Sequence, residues 1–189
     1  MTLIKSISGI RGTIGGAVGE NLTPLDIVRF AAAYGTLLRQ SNPDKKLKVV
    51  IGRDARLSGE MVSRLVSATL NGLAIEVVDL GLSTTPTVEL AVPDQAADGG
   101  MILTASHNPE AWNALKLLDQ NGEFLSASAG QQIIDLAERE DFHFAEVGEL
   151  GHTALDDTYL QKHIDAVLAY PLVNRDAIEK ANFKVALDA

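Results

Sequence analysis

The chain alternates between two patterns of apolar residues, which predict strands and helices in turn. Short apolar runs predict buried strands, and longer segments with apolar residues three or four positions apart predict helices. The predicted strands are 47–52, 75–81, 99–105 and 114–119. The predicted helices are 24–40, 59–73, 85–94, 128–140 and 156–170. This alternation predicts a layered α/β domain around a mixed, largely parallel sheet.

Two residues stand where helix N-caps are expected. Thr23 precedes Pro24, and a capping hydroxyl followed by proline at the first helical position favours a helix start. Ser58 precedes the predicted helix 59–73 and is expected to cap it.

Three polar loops follow the first three predicted strands, where sites gather in sheets of this type. They are GRDARLSG at 52–59, GLSTTP at 81–86 and TASHNP at 104–109. In the first loop, Arg53 and Arg56 lie on either side of Asp54. This pattern fits an anion site, or a salt-bridged loop in which Asp54 orients both guanidinium groups. Both interpretations hold together if Asp54 positions an arginine that in turn holds the neighbouring loop.

The third loop has the sharpest candidate chemistry. Ser106 follows a strand, His107 is its neighbour, and Pro109 stiffens the turn. If strand 114–119 returns along the sheet, Lys116 comes near enough to neutralise a phosphate or move a proton. Ser106 is then a nucleophile; the alternative is a turn serine, with Lys116 as a surface charge. The motif is not the Gly-x-Ser-x-Gly elbow of hydrolases.

The opening segment SGIRGTIGG combines Ser8 and Arg11 with glycines. Glycines let backbone N–H groups approach an anion, and an arginine fork binds phosphate. The segment therefore suggests an anion site; the alternative is a glycine hairpin with Arg11 in solvent. No group of histidine and acidic residues has metal-ligand spacing.

The composition narrows the class of protein. The chain has 189 residues, of which 46% are hydrophobic and 22% charged, as in ordinary globular proteins. It has no cysteine, which excludes disulfides and thiolate chemistry, and its net charge of −9 argues against nucleic-acid binding. No apolar run is long enough to span a bilayer, and the opening lacks a signal-peptide core. We therefore expect a cytoplasmic protein without a membrane partner.

The chain divides into three predicted segments. Residues 1–150 contain the alternating strands and helices and are expected to form one α/β domain. Residues 151–182 are expected to form a helical connection. A strand is expected to begin at Phe183, so residues 183–189 are interpreted as the truncated start of a second domain. The alternative is that this strand joins the edge of the first sheet.

Four motifs, in this order, resemble those of the α-D-phosphohexomutase superfamily of phosphoglucomutase, phosphomannomutase and phosphoglucosamine mutase. They are SGIRG at 8–12, GRDARLSG at 52–59, GLSTTPT at 81–87 and TASHNP at 104–109. The resemblance is to the N-terminal domain, a three-layer α/β/α domain, and covers essentially the whole chain. It implies a phosphoserine at Ser106, whose phosphoryl group passes to a hexose 1- or 6-phosphate and gives a bound bisphosphate.

The resemblance also implies roles for residues around Ser106. The residues implied to form the site are Ser8, Arg11, Ser106, His107, Asn108 and Lys116. Lys116 and Arg11 would be the acid–base and phosphate-orienting groups, and Arg53 and Asp54 would brace the loop from behind. The chain departs from the family pattern Asn-Gly-x-Lys by having Ala114, for which a left-handed backbone would be strained.

The implied cofactor is Mg²⁺, and the implied activator is of the glucose 1,6-bisphosphate type. Phospho-Ser106 would supply one magnesium ligand. The family's other magnesium ligands and its sugar-recognition loop lie in domains II to IV, the expected partners in the same chain. We therefore expect the fragment alone to have no mutase activity.

The sugar and the class of function have alternatives. Phosphoglucomutase or phosphomannomutase is the first interpretation, and residues 8–12 and 21–38 also resemble archaeal phosphoglucosamine mutases. A non-catalytic sugar-phosphate binding module would be expected to have lost Ser106 or Arg11, and both are present. A serine hydrolase would need an Asp–His pair aimed at Ser106, and His107 is too close in sequence to fold back on it.

Overall fold

The computed structural model describes residues 1–6 and 9–187, in which strands and helices alternate. The strands are β1 (Ile4–Ser6), β2 (Gly9–Thr13), β3 (Leu47–Arg53), β4 (Ile75–Leu82), β5 (Gly99–Leu103), β6 (Trp112–Leu118) and β7 (Thr153–Leu155). The helices are α1 (Pro24–Ser41), α2 (Gly59–Gly72), α3 (Thr85–Asp94), α4 (Ala127–Arg139), α5 (Tyr159–Ala169) and α6 (Arg175–Ala181), with a 3-10 turn at Val147–Glu149. Among the described residues, no helix is both long and apolar enough to cross a bilayer.

The strands of the described chain form one sheet of seven, in the order β1-β2-β6-β5-β3-β4-β7. Neighbours from β5 through β3 and β4 to β7 pair in parallel. Neighbours from β1 through β2 and β6 to β5 pair antiparallel. The predicted mixed α/β sheet is confirmed. Because β3, β4 and β5 are parallel, the loops that follow them lie at the same edge.

Helices cover both faces of this sheet. Helices α1, α2 and α4 share one apolar cluster with the sheet face that carries Val49 and Ile51. Helix α3 and the start of α5 share a second cluster with the opposite face, which carries Val50. Successive residues of β3 therefore enter different cores, which explains the unbroken apolar run in this strand. The three-layer α/β/α architecture is confirmed.

The two predicted helix caps differ in outcome. Thr23 caps α1, since its hydroxyl accepts the Asp26 N–H at 3.4 Å and the Asp26 carboxylate accepts the Thr23 N–H at 3.2 Å. This capping box, followed by Pro24, confirms the predicted helix start. The prediction for Ser58 is wrong: its hydroxyl accepts a hydrogen bond from Asn113 Nδ2 at 2.9 Å and makes no cap bond to α2.

Four short elements were given no bounds in the sequence prediction. Strands β1 and β2 form a hairpin in the glycine-rich opening, which was one of the two alternatives for that segment, while helix α6 and strand β7 lie in the segment predicted to be a helical connection. All residues of β7 are exposed and none of α6 is buried, so neither has the apolar periodicity that marks an element in the sequence.

The strand expected from Phe183 does not form. Residues 183–187 pair with no strand in the described part of the chain, and Phe183 is 72% exposed. An alternating apolar segment becomes a strand only where a sheet edge satisfies its backbone groups, and this segment meets none. The assignment of 183–189 to a second domain stays a prediction, and residues 188–189 lie outside the described residues.

Tyr34 joins α1 to the middle of the sheet. Its side chain is buried, and its hydroxyl lies 2.8 Å from the Leu118 carbonyl and 3.2 Å from the Gly100 carbonyl. Burial raises the pKa of the Tyr34 hydroxyl, so the group stays protonated and donates to these carbonyls. The contact ties α1 to the β5–β6 strand pair.

We expect Tyr34→Phe to lower the free energy of unfolding by about 1 kcal/mol, because a buried hydrogen bond is lost with little change in packing. Tyr170→Phe, at a tyrosine that is 58% exposed, is the matched control and should leave stability unchanged. Urea denaturation followed by circular dichroism measures both variants. Equal free energies of unfolding for the two variants would contradict the role given to Tyr34.

Candidate active site

The carboxyl ends of β3, β4 and β5 bring three polar loops to one edge of the sheet. Backbone hydrogen bonds join these loops: the Asp54 N–H donates to the Leu103 carbonyl at 3.2 Å. The Ser83 N–H likewise donates to the Arg53 carbonyl at 2.8 Å. The loop that follows β5 is therefore anchored to the loop that follows β3.

Ser106 is exposed at this edge and has a left-handed backbone, with φ of 54°. This conformation is uncommon and strained for a residue other than glycine. The Ser106 Oγ lies 2.8 Å from Nζ of Lys116. The short distance follows from the sheet, because β6 returns antiparallel to β5 with Ile102 opposite Lys116. The return of this strand, on which the nucleophile interpretation depended, is observed.

A cleft of about 180 Å³ opens over Ser106. The described residues that line it are Ser6, Gly9, Arg11, Ser106, His107, Asn108, Ala114, Lys116 and Phe124. None of these lining residues is acidic, and Arg11 and Lys116 are cationic, so the cleft favours an anion. Its volume is below the roughly 300–1,000 Å³ of typical ligand pockets, which suits a group such as phosphate rather than a whole ligand.

Two small residues, Gly9 and Ala114, lie where β2 pairs with β6 beside the cleft. Gly9 has φ of 123°, and a Cβ at this position would lie 2.2 Å from the Leu115 carbonyl oxygen. Ala114 lies within β6 opposite Arg11 and has no left-handed backbone. The strain considered for alanine at this position therefore does not arise. Regular strand geometry therefore places Lys116, two residues further along β6, on the same side of the strand as Ala114, where both line the cleft.

Most of the predicted site residues come together in the structure. Those that line the cleft are Arg11, Ser106, His107, Asn108 and Lys116. Asn108 also closes its own loop, since its side-chain amide donates to the Ala105 carbonyl at 2.8 Å. The exposed Arg11 side chain makes no hydrogen bond or ion pair within the described chain, so its guanidinium is available to a ligand. Ser8 lies outside the described residues.

Asp54 lies behind the Ser106 loop. Its carboxylate accepts hydrogen bonds from Thr104 Oγ1 at 2.6 Å and from Arg56 Nε at 3.0 Å. The Arg53 guanidinium instead donates to the Asp54 carbonyl at 3.3 Å and, among the described residues, does not bond to the Ser106 loop. The salt-bridged interpretation of this segment therefore applies to Arg56 alone.

Arg56 braces the Ser106 loop, the role that the resemblance gave to Arg53. Its Nη1 and Nη2 donate four hydrogen bonds to loop carbonyls, at 2.8 to 3.0 Å. These carbonyls belong to Ser106, Asn108, Pro109 and Trp112. With the bond from Nε to Asp54, all five N–H donors of the guanidinium are used. The only sequence signal for this role was a second arginine close to Asp54. The bonds themselves could not be predicted, because every residue has a backbone carbonyl and the sequence does not mark which ones accept.

Comparison with known proteins identifies the family. Residues 3–144 match the family model for phosphoglucomutase/phosphomannomutase, alpha/beta/alpha domain I. The chain therefore belongs to the phosphohexomutase superfamily and contains its N-terminal domain. A phosphoglucomutase/phosphomannomutase family protein from Burkholderia thailandensis has the same fold, with a TM-score of 0.73 and 22% sequence identity over 87% of this chain and 35% of that one.

Curated relatives are considerably longer than this chain. A phosphoglucomutase/phosphomannomutase of Thermococcus kodakarensis is 36% identical over 94% of this chain and 38% of its own length. A phosphoglucosamine/phosphogalactosamine mutase of Sulfurisphaera tokodaii is 32% identical over 95% of this chain and 37% of its own length. The chain thus spans less than two fifths of these relatives.

We expect inorganic phosphate to bind in the cleft. Arg11→Gln should raise the dissociation constant for phosphate by about tenfold, because a charge-assisted hydrogen bond is lost. Lys46→Gln is the matched control, since it removes a cation before β3, at the opposite end of that strand. Amide chemical shifts of residues 104–108 during a phosphate titration give the constant. Equal affinities for the two variants would contradict the anion site.

Proposed function

We propose that this chain is the N-terminal domain of a phosphohexomutase in which Ser106 carries the phosphoryl group exchanged between positions 1 and 6 of a hexose phosphate. The observation that supports it is the exposed Ser106 Oγ, 2.8 Å from Lys116 Nζ, in a cleft without acidic residues among those described. This arrangement suits phosphoryl transfer, which depends on positioning and charge neutralisation more than on covalent assistance.

The proposed reaction has two halves. In the first, the bond between Ser106 Oγ and phosphorus breaks while a sugar hydroxyl oxygen bonds to that phosphorus, which gives the bisphosphate. Lys116 Nζ supplies a proton to the departing Oγ, and the proton of the sugar hydroxyl leaves to solvent. After the bisphosphate turns round, the bond between its other phosphorus and the sugar oxygen breaks while Ser106 Oγ bonds to that phosphorus. The Oγ proton goes back to Lys116, and the sugar oxygen takes a proton from solvent. Arg11 neutralises the phosphate oxygens, and His107 and Asn108 line the same cleft.

Magnesium is the proposed cofactor, and the described residues alone do not form a site for it. No group of three histidine or acidic side chains within the described residues comes together to hold a metal. A phosphate on Ser106 would supply one oxygen ligand of the kind that Mg²⁺ prefers. We assign the other ligands to further domains, in keeping with the greater length of the relatives.

The substrate is proposed at the level of hexose phosphates. Glucose or mannose phosphate is the first proposal, in keeping with the relative named phosphoglucomutase/phosphomannomutase. Glucosamine phosphate is the second, because a relative of similar identity and coverage is named phosphoglucosamine/phosphogalactosamine mutase. A non-catalytic sugar-phosphate module is less well supported, since it would not need a serine oxygen beside Lys116.

The first test is phosphosite mapping on the full-length parent protein after incubation with glucose 1,6-bisphosphate and magnesium. Phosphate is expected on Ser106, and Ser106→Ala should remove at least about 90% of the incorporated label if this oxygen is the carrier. Ser128→Ala, at an exposed serine of α4, is the matched control and should keep full incorporation. Mass spectrometry reads the site, and an unlabelled Ser106 in the wild-type parent would overturn the proposal.

The second test concerns the 189-residue chain by itself. We expect it not to interconvert glucose 1-phosphate and glucose 6-phosphate, because its described residues contain no metal cluster and the other magnesium ligands are assigned to further domains. A coupled dehydrogenase assay with magnesium and bisphosphate activator measures the turnover. Turnover by the purified chain, in proportion to its concentration, would show that the further domains are not required.

A further inference from the structure

Both backbone groups of Ser106 are held by one ring of hydrogen bonds. The Ser106 N–H donates to Thr104 Oγ1 at 3.0 Å, and the Thr104 hydroxyl donates to the Asp54 carboxylate at 2.6 Å. The same carboxylate oxygen accepts from Arg56 Nε at 3.0 Å, and Arg56 Nη2 donates back to the Ser106 carbonyl at 2.8 Å. In the described structure, none of the other three residues hydrogen-bonds to the Ser106 hydroxyl.

Ser106 needs this support because its φ of 54° is a conformation that serine rarely adopts without outside contacts. With the N–H and the carbonyl both held, rotation about either backbone bond would break one end of the ring. The Cα–Cβ bond is thereby directed to one side, where Oγ meets Lys116 Nζ at 2.8 Å.

We infer that Thr104, Asp54 and Arg56 are positioning residues that keep Ser106 in its left-handed conformation and so direct its hydroxyl at Lys116. The positioning role does not depend on the proposed function. Its consequence, that phosphoryl transfer requires this ring, rests on the proposed function.

Arg56 has the largest part in the ring. Its planar fork also holds three further carbonyls of the same loop, which a lysine cannot reach together because its donors lie on a single atom. The Arg56 side chain is 11% exposed and Thr104 is 8% exposed, so most of the ring lies away from solvent, while its bond to the Ser106 carbonyl is exposed. Asp54 balances the charge of the buried guanidinium.

The sharpest test compares Thr104→Val with Thr104→Ser in the 189-residue chain by NMR. Valine has the shape of threonine without the hydroxyl, and serine keeps the hydroxyl. We expect Thr104→Val to speed hydrogen exchange of the Ser106 amide by about tenfold, and to abolish the cross-relaxation between Ser106 Hβ and Lys116 Hε protons. Thr104→Ser is expected to retain both wild-type signals. Unchanged signals in Thr104→Val, or their loss in Thr104→Ser, would overturn the inference.

Arg56→Lys tests the ring from its other end and serves if Thr104→Val does not fold. The positive charge is kept and the fork is lost, so the cross-relaxation between Ser106 and Lys116 should disappear. The methyl spectrum of buried residues such as Ile51 and Val66 should stay native, which separates loss of position from loss of fold. Cross-relaxation at wild-type strength in Arg56→Lys would count against a positioning role.

Kinetics of the full-length parent connect the ring to the reaction. Thr104→Val is expected to lower kcat by about 100-fold, the usual effect of misplacing a reacting group, with KM for the hexose phosphate nearly unchanged. An unchanged kcat would overturn the catalytic consequence. If the wild-type parent takes no phosphate on Ser106, the proposed function fails, while the NMR comparison still decides the positioning role.

Discussion

The antiparallel return of β6 beside β5 is the constraint on which the candidate site depends. Strand β5 pairs in parallel with β3 on one side and antiparallel with β6 on the other, so the sheet changes character along this strand. The parallel side brings the loops after β3 and β5 to one edge. The antiparallel side brings Lys116 back to Ser106, from which it is ten residues away in sequence. The antiparallel side produces the Ser106–Lys116 pair, and the parallel side supplies the loop after β3 that braces it.

The strands and the main helices were predictable because their buried positions are occupied by apolar residues. The run Val49–Ile51 is apolar throughout because its side chains enter a core on each face of the sheet. A pattern of this kind can be recognised in the sequence before the fold is known. The segment from Phe183 has a similar pattern and forms no strand, since pairing also requires a free partner edge. Apolar pattern therefore predicts burial better than it predicts pairing.

The candidate site was predictable only in part, for a related reason. Ser106 and Lys116 could be singled out because their side chains carry the chemistry, given that the strands returned as expected. The support from Arg56 could not be predicted, because Arg56 bonds to backbone carbonyls, which every loop residue has. Ser58 is a second case in which a contact distant in sequence could not be predicted. Its position suggested a helix cap, but in the fold its hydroxyl accepts a hydrogen bond from Asn113 at 2.9 Å.

The charges of the cleft have a consequence for how an intermediate stays bound. A phosphoserine carries about −1.5 to −2 charges at neutral pH, which Arg11 and Lys116 together come close to cancelling. When the proposed transfer moves that phosphoryl group to the sugar, Ser106 takes a proton from Lys116 and both side chains are then neutral, so Arg11 loses its counter-ion. The cleft thus becomes most attractive to a doubly phosphorylated sugar just when that sugar forms. Escape of the intermediate is opposed by the positive charge that the transfer itself exposes.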